Sequence, residues 1–226
     1  MKLCVLYSGG KDSTLALIKA QEFHEIVCLV TLVSSNKESF MFHTPNIDVT
    51  SLQAEAMGLP LVRVETTGEK EKEIADLKHA LKLAQQKHKI EGVVTGAIQS
   101  TYQASRVQQI CYELGLWCFN PLWLVDQEQL LTDVVKSGIH AIISGVFAEP
   151  LDDSFLGQKL DTRLSKKLIA AAKSHKINPA GEGGEIETTV LNAPIFNKKL
   201  IVKKSKTDYA NYSGTFSILD AELEKK

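Results

Sequence analysis

The sequence has no Cys-x-x-Cys pair, no long apolar run and no excess of basic charge. Its four cysteines (Cys4, Cys28, Cys111 and Cys118) are scattered, which argues against structural zinc, an iron–sulfur cluster or a redox pair. Cys4 and Cys28 fall in apolar, strand-like runs, where a reduced thiol behaves as a small hydrophobe, and a cytoplasmic setting is expected. No apolar run reaches the about 18 residues of a membrane helix, so no membrane association is expected. The residues ahead of the first glycines are too few for a signal peptide. The net charge of −1 leaves no global basic field for nucleic acid. The local cluster Lys198, Lys199, Lys203, Lys204 and Lys206 reads as solvated charge near a sheet edge. Internal repeats and low-complexity segments are also missing.

What remains is an ordinary globular composition: 226 residues, 44% hydrophobic and 23% charged, enough for one large domain or two small ones. Apolar runs at residues 3–7, 26–33, 61–64 and 93–95 predict strands. Between them, helices are expected over residues 12–22 and 69–89. Another is expected from an N-cap Thr44 and Pro45 to Met57, and a fourth from the capping box Ser100-Thr101-Tyr102-Gln103 to Gly115. Strands alternating with helices predict an α/β fold, a parallel sheet with helices on both faces, over residues 1–124. Beyond it, helices at residues 127–136 and 162–173 accompany strands at residues 139–146, 187–191, 200–203 and 215–223. The last three strands have no helices between them, so antiparallel pairing and a smaller C-terminal α+β region over residues 125–226 are expected.

The segment Ser8-Gly9-Gly10-Lys11-Asp12-Ser13 joins the first strand to the first helix. Such a junction aims backbone N–H groups and the positive end of the helix dipole at one point. Its glycines remove side chains that would block a phosphate. Lys11 adds a positive charge, and the hydroxyls of Ser8 and Ser13 donate to phosphate oxygens. Asp12 is out of place in an anion site unless a metal accompanies the anion, and Mg²⁺ bridging it to phosphate oxygens resolves the conflict. The segment is not a Walker A loop, because Val5 and Asp12 stand where that loop needs a glycine and a hydroxyl residue.

Tyr7-Ser8-Gly9-Gly10-Lys11-Asp12-Ser13 resembles the PP-loop of the N-type ATP pyrophosphatases, a HUP-like fold. The resemblance implies that ATP is cleaved between its α and β phosphates, with pyrophosphate in the turn. It also implies adenine against the backbone of Thr31, Leu32 and Val33, with Gly96 and Ala97 approaching the nucleotide from the other side. Further along, Gly96-Ala97-Ile98, Tyr102-Gln103, Arg106, Leu114-Gly115-Leu116, Pro121-Leu122-Trp123 and Gly181-Glu182-Gly183-Gly184-Glu185-Ile186-Glu187-Thr188 resemble the diphthine–ammonia ligase family. That family implies ATP-dependent adenylation of the diphthine carboxylate on translation elongation factor 2, then attack by ammonium-derived ammonia, with release of AMP and pyrophosphate.

The residues suit this chemistry in their own right. Glu185 and Glu187 share one face of an expected strand, and Glu182 joins them across two glycines. Three carboxylates on such a turn suit a cationic substrate or ammonium; a solvated acidic hairpin tip is the plainer alternative. A quaternary ammonium also favours an aromatic face such as Tyr102 or Trp123, although Trp123 reads more simply as packing. Arg106, four residues after Tyr102, lies on the same helical face and suits a phosphate or carboxylate clamp. His43 reads as a loop histidine near the site. The expected catalytic set is Lys11, Asp12 and Arg106, with Asp12 on the metal. A PP-loop tRNA-modifying enzyme and a non-catalytic ATP sensor are the competing readings.

Overall fold

A computed structural model describes residues 1–34 and 45–226. Strand β1 (Lys2–Leu6) turns Leu3 and Val5 to one face and Cys4 to the other, all without exposure. Burial on both faces is what a central parallel strand requires. Around it lie α1 (Lys11–Gln21), β2 (Glu25–Ser34), α2 (Thr50–Met57), β3 (Leu61–Thr66), α3 (Lys70–His88), β4 (Gly92–Val94), α4 (Thr101–Leu114) and β5 (Trp117–Phe119). The five strands are parallel in the order β3-β2-β1-β4-β5. Strand order reverses at β1, so the turn after β1 sits at the switch point where such sheets bind ligands.

The remaining elements are α5 (Gln127–Lys136), β6 (His140–Val146), α6 (Thr162–His175), β7 (Ile186–Asn192), β8 (Lys198–Ala210) and β9 (Ser213–Lys225). Their four strands form an antiparallel sheet in the order β7-β6-β9-β8. Both expected sheets are therefore present, an α/β sheet followed by a smaller α+β region.

One apolar cluster runs from Leu3, Val5 and Leu15 through Ala54 to Leu130, Ile143, Val190 and Leu200, so the two sheets share an interior. A second cluster, behind the parallel sheet, holds Cys4, Cys28, Val30, Leu77, Leu81, Ile110 and Cys111. The four thiols are all free, and burial, with Cys28 alongside, pushes the Cys4 thiol well up. Cys4, Cys28 and Cys111 are core side chains, and Cys118 packs partly buried against them. Among the described residues no helix is long and apolar enough to cross a membrane.

One expectation needs correction, and one strand was not expected. The helix expected from Thr44-Pro45 starts at Thr50, after a turn and a 3₁₀ segment Ile47–Val49; Thr44 and His43 lie outside the described residues. The delay comes from Asn46, left-handed at φ 64°. Its amide donates to Thr189 Oγ1 and Phe216 O and accepts from Ile218 N, stitching this corner to the second sheet. Strand β5 was not expected; it is an edge strand of the parallel sheet, and its Trp117 stays exposed. The lysine cluster is the solvated charge that was expected: it lies on the edge strand β8, where Lys198, Lys199, Lys203 and Lys206 pair with Glu55, Glu224, Glu222 and Asp208.

Candidate active site

The turn after β1 is built open. Gly10 occupies the N-cap of α1 without a side-chain cap, and the amides of Gly10, Asp12 and Ser13 meet no acceptor among the described residues. First-turn N–H groups left in this way are donors for an anion. Ser8 Oγ and Ser13 Oγ stand 3.2 Å apart across the same opening. The Lys11 amide is not available, since it donates to Thr188 Oγ1 at 3.0 Å.

Lys11 is 2% exposed. Its ammonium donates to Asp12 Oδ2 at 2.8 Å and to Ala180 O at 2.6 Å, so one of its three hydrogens remains for a phosphate. Asp12 Oδ1 is buried with no hydrogen-bond partner among the described residues. No group of three or more His, Cys, Asp or Glu side chains among the described residues is arranged to hold a metal ion. A single carboxylate oxygen fits Mg²⁺ all the same, because that ion takes one or two carboxylates and completes its shell with phosphate oxygens and water.

The acidic segment does not form a separate second site. It folds back on the turn. Lys11 reaches Ala180, Thr188 takes the Lys11 amide, and Val190 N donates to Gly9 O at 2.9 Å. Glu187, part-buried, is pushed up to about 7 by burial, with Lys11 pulling it down and Asp12 raising it further. Glu182 accepts from Gln99 N at 3.0 Å. Burial raises its carboxyl as well, with Asp12 adding to the rise and the Gln99 amide and Lys11 opposing it. Glu185 is turned away from this group and precedes β7 instead of sharing its face. One oxygen accepts from Asn178 N and Nδ2, the other from Gly183 N, all within 2.7–2.8 Å. It closes its own loop.

The other expected residues are placed as follows. Thr31 Oγ1 donates to Tyr7 O at 2.6 Å, tying β2 to the end of β1, and Leu32 is buried. Val33 lines a groove of about 560 Å³ with Ser34, Glu65, Thr66, Lys72 and Asp76, at the C-terminal ends of β2 and β3. The Ala97 amide is taken by Thr95 Oγ1. Arg106 stacks on the Tyr102 ring, 3.5 Å from its centroid, and its Nε is buried without a partner among the described residues. Trp123 is half-buried in the turn after β5. A second groove of about 300 Å³ involves Gln99, Asp126, Gln127, Glu128, Lys173 and Pro179.

Gly96 has a structural duty that its motif did not reveal. A Cβ there would stand 2.8 Å from Ser13 N and 3.0 Å from Asp12 C, both backbone of the first turn of α1. Gly96→Ala is expected to cost about 1–3 kcal/mol, as overpacking against rigid neighbours does. It should also weaken ATP binding by shifting the open amides. Urea unfolding with and without ATP checks both.

Sequence comparisons agree along the chain. The family model described as diphthamide synthase N-terminal domain matches residues 1–118, and that for the diphthamide synthase C-terminal domain matches residues 126–223. The chain is 38% identical to the diphthine–ammonia ligase of Homo sapiens over 226 residues, covering 91% of this chain and 84% of that protein. Against the diphthine–ammonia ligase of Schizosaccharomyces pombe it is 38% identical over 219 residues, covering 89% of this chain but 36% of the relative. The Saccharomyces cerevisiae protein of the same name is 31% identical, with 33% of its length covered. The chain thus spans about a third of each yeast relative.

Proposed function

The chain belongs to the diphthine–ammonia ligase family, and on that premise we propose that it amidates the diphthine carboxylate of translation elongation factor 2, using ATP and ammonium. One observation carries this reading. The open amides of an uncapped helix start lie beside Lys11 and Asp12, whose charges also act on the part-buried carboxylates Glu182 and Glu187. The first feature suits a polyphosphate, the second a cation, and this reaction brings both to one place.

In the proposed reaction a carboxylate oxygen of diphthine attacks the α-phosphorus of ATP. The bond to the bridging oxygen breaks and pyrophosphate leaves into the turn. The amides of Gly10, Asp12 and Ser13, the hydroxyls of Ser8 and Ser13 and the third Lys11 hydrogen take up its charge. Asp12 Oδ1 would hold Mg²⁺, which would further neutralise the phosphates. Adenine lies against β2 near Val33, whose groove is one strand over from the turn. Ammonium releases a proton to solvent, and the resulting ammonia attacks the acyl carbon. AMP departs with the electron pair of the broken acyl–oxygen bond, and the nitrogen loses a second proton to solvent to leave the neutral amide.

Glu182 and Glu187 draw the cationic groups, ammonium and the trimethylammonium of diphthine, to the reacting carbon. Glu185 serves by holding the loop that carries them. Arg106, already stacked and oriented by Tyr102, clamps an anionic oxygen of the nucleotide or substrate. The groove at Gln99, whose amide holds Glu182, is the entry for the modified side chain.

The test is AMP release from ATP with Mg²⁺, ammonium and diphthine-bearing elongation factor. AMP that appears only when both factor and ammonium are present is the expected result. AMP formed equally without the factor, or ATP bound without turnover, removes this reading.

A further inference from the structure

Gln53 belongs to none of the motifs above, yet it is fully buried on α2 and lies against the phosphate turn. Its Nε2 donates to Gly9 O at 3.0 Å and to Val190 O at 2.7 Å. Its Oε1 has no partner among the described residues, so the amide is a poor choice for packing alone, because a buried unpaired polar atom is costly. A Cβ on Gly9, left-handed at φ +81°, would stand 2.5 Å from that oxygen. The side chain is therefore flush with the turn.

The peptide plane explains what this contact does. In a trans peptide the C=O of one residue and the N–H of the next point in opposite directions. Gly9 O is held on one side by Gln53 Nε2 and Val190 N. Holding it there aims the Gly10 N–H to the other side, into the opening where it meets no acceptor among the described residues. The same amide ties that orientation to β7 at Val190, two residues beyond Thr188, which takes the Lys11 amide. We infer that Gln53 is a positioning residue for the phosphate cradle, fixing the Gly9–Gly10 peptide so that its N–H faces the β and γ phosphates. This assignment rests on reading the turn as the ATP site.

The experiment compares Gln53→Met, which retains side-chain length and removes both donors, with the wild-type chain in calorimetric titrations with ATP and with AMP. ATP affinity is expected to fall about tenfold, and AMP affinity to stay unchanged, because AMP lacks the phosphates that occupy the turn. A variant that binds ATP as the wild type does, or loses ATP and AMP alike, overturns the assignment. A wild-type chain that binds no ATP removes the underlying reading instead. Should Gln53→Met not fold, the wild-type Gly10 amide is followed by NMR as inorganic pyrophosphate is added. A large shift and slowed exchange at Gly10 support the assignment, and an unmoved Gly10 signal overturns it.

Discussion

Lys11→Ala leaves a folded chain that releases AMP about a hundred- to a thousandfold more slowly, the range seen when one preorganised charge-stabilising donor is lost. The ammonium sits 2% exposed at the centre of the site, where few water molecules screen it. Its loss removes the ion pair to Asp12 Oδ2 and the donor to Ala180 O. The stability cost of the orphaned carbonyl is about 1–3 kcal/mol. Circular dichroism and urea unfolding separate that cost from the catalytic loss. Lys11→Arg does not rescue, because a planar fork cannot occupy the narrow space of a point charge. Wild-type AMP release from Lys11→Ala would remove the lysine from the mechanism.

Glu187→Gln gives the second large effect, and its sign depends on pH. Burial raises the carboxyl from its ordinary value of 4.5 to about 7 in the folded chain. The folded state therefore holds this proton more tightly than the unfolded state between those values. Its contribution to stability is fully present below about pH 4.5 and is lost as pH rises through about 7. Glutamine mimics the protonated acid and has no such loss. The variant is expected to melt above the wild type at pH 8, with the difference shrinking to nothing near pH 4. Melting curves that superimpose at every pH would contradict the burial of this carboxylate beside Asp12. Factor- and ammonium-dependent AMP release at pH 8 should fall about ten- to a hundredfold, the loss of one charge-assisted contact.

Much of this chain is local enough to read directly. Strand β1, the glycine-rich turn and α1 form one continuous stretch, an unbroken apolar run followed by two glycines and then a helical pattern. Helix α5 runs over Gln127–Lys136 as its apolar spacing predicts, with Leu130, Leu131 and Val134 buried. Ser100 caps α4 by accepting from Gln103 N. In these places propensity, capping and burial agree, and neighbours in sequence suffice to decide the outcome.

The sequence by itself determined the class of fold, the glycine-rich turn between β1 and α1 and the position of the acidic segment in the chain. Only tertiary structure decided where that segment goes. The bond from Lys11 N to Thr188 Oγ1 spans 177 positions, and no periodicity reports a contact of that range. The same holds for the influence of Lys11 and Asp12 on Glu182 and Glu187, the use of Glu185 within its own loop, the delayed start of α2 and the burial of Gln53 against Gly9. Each is settled by which backbone groups must find partners when the second sheet packs on the first, and that accounting closes only in three dimensions.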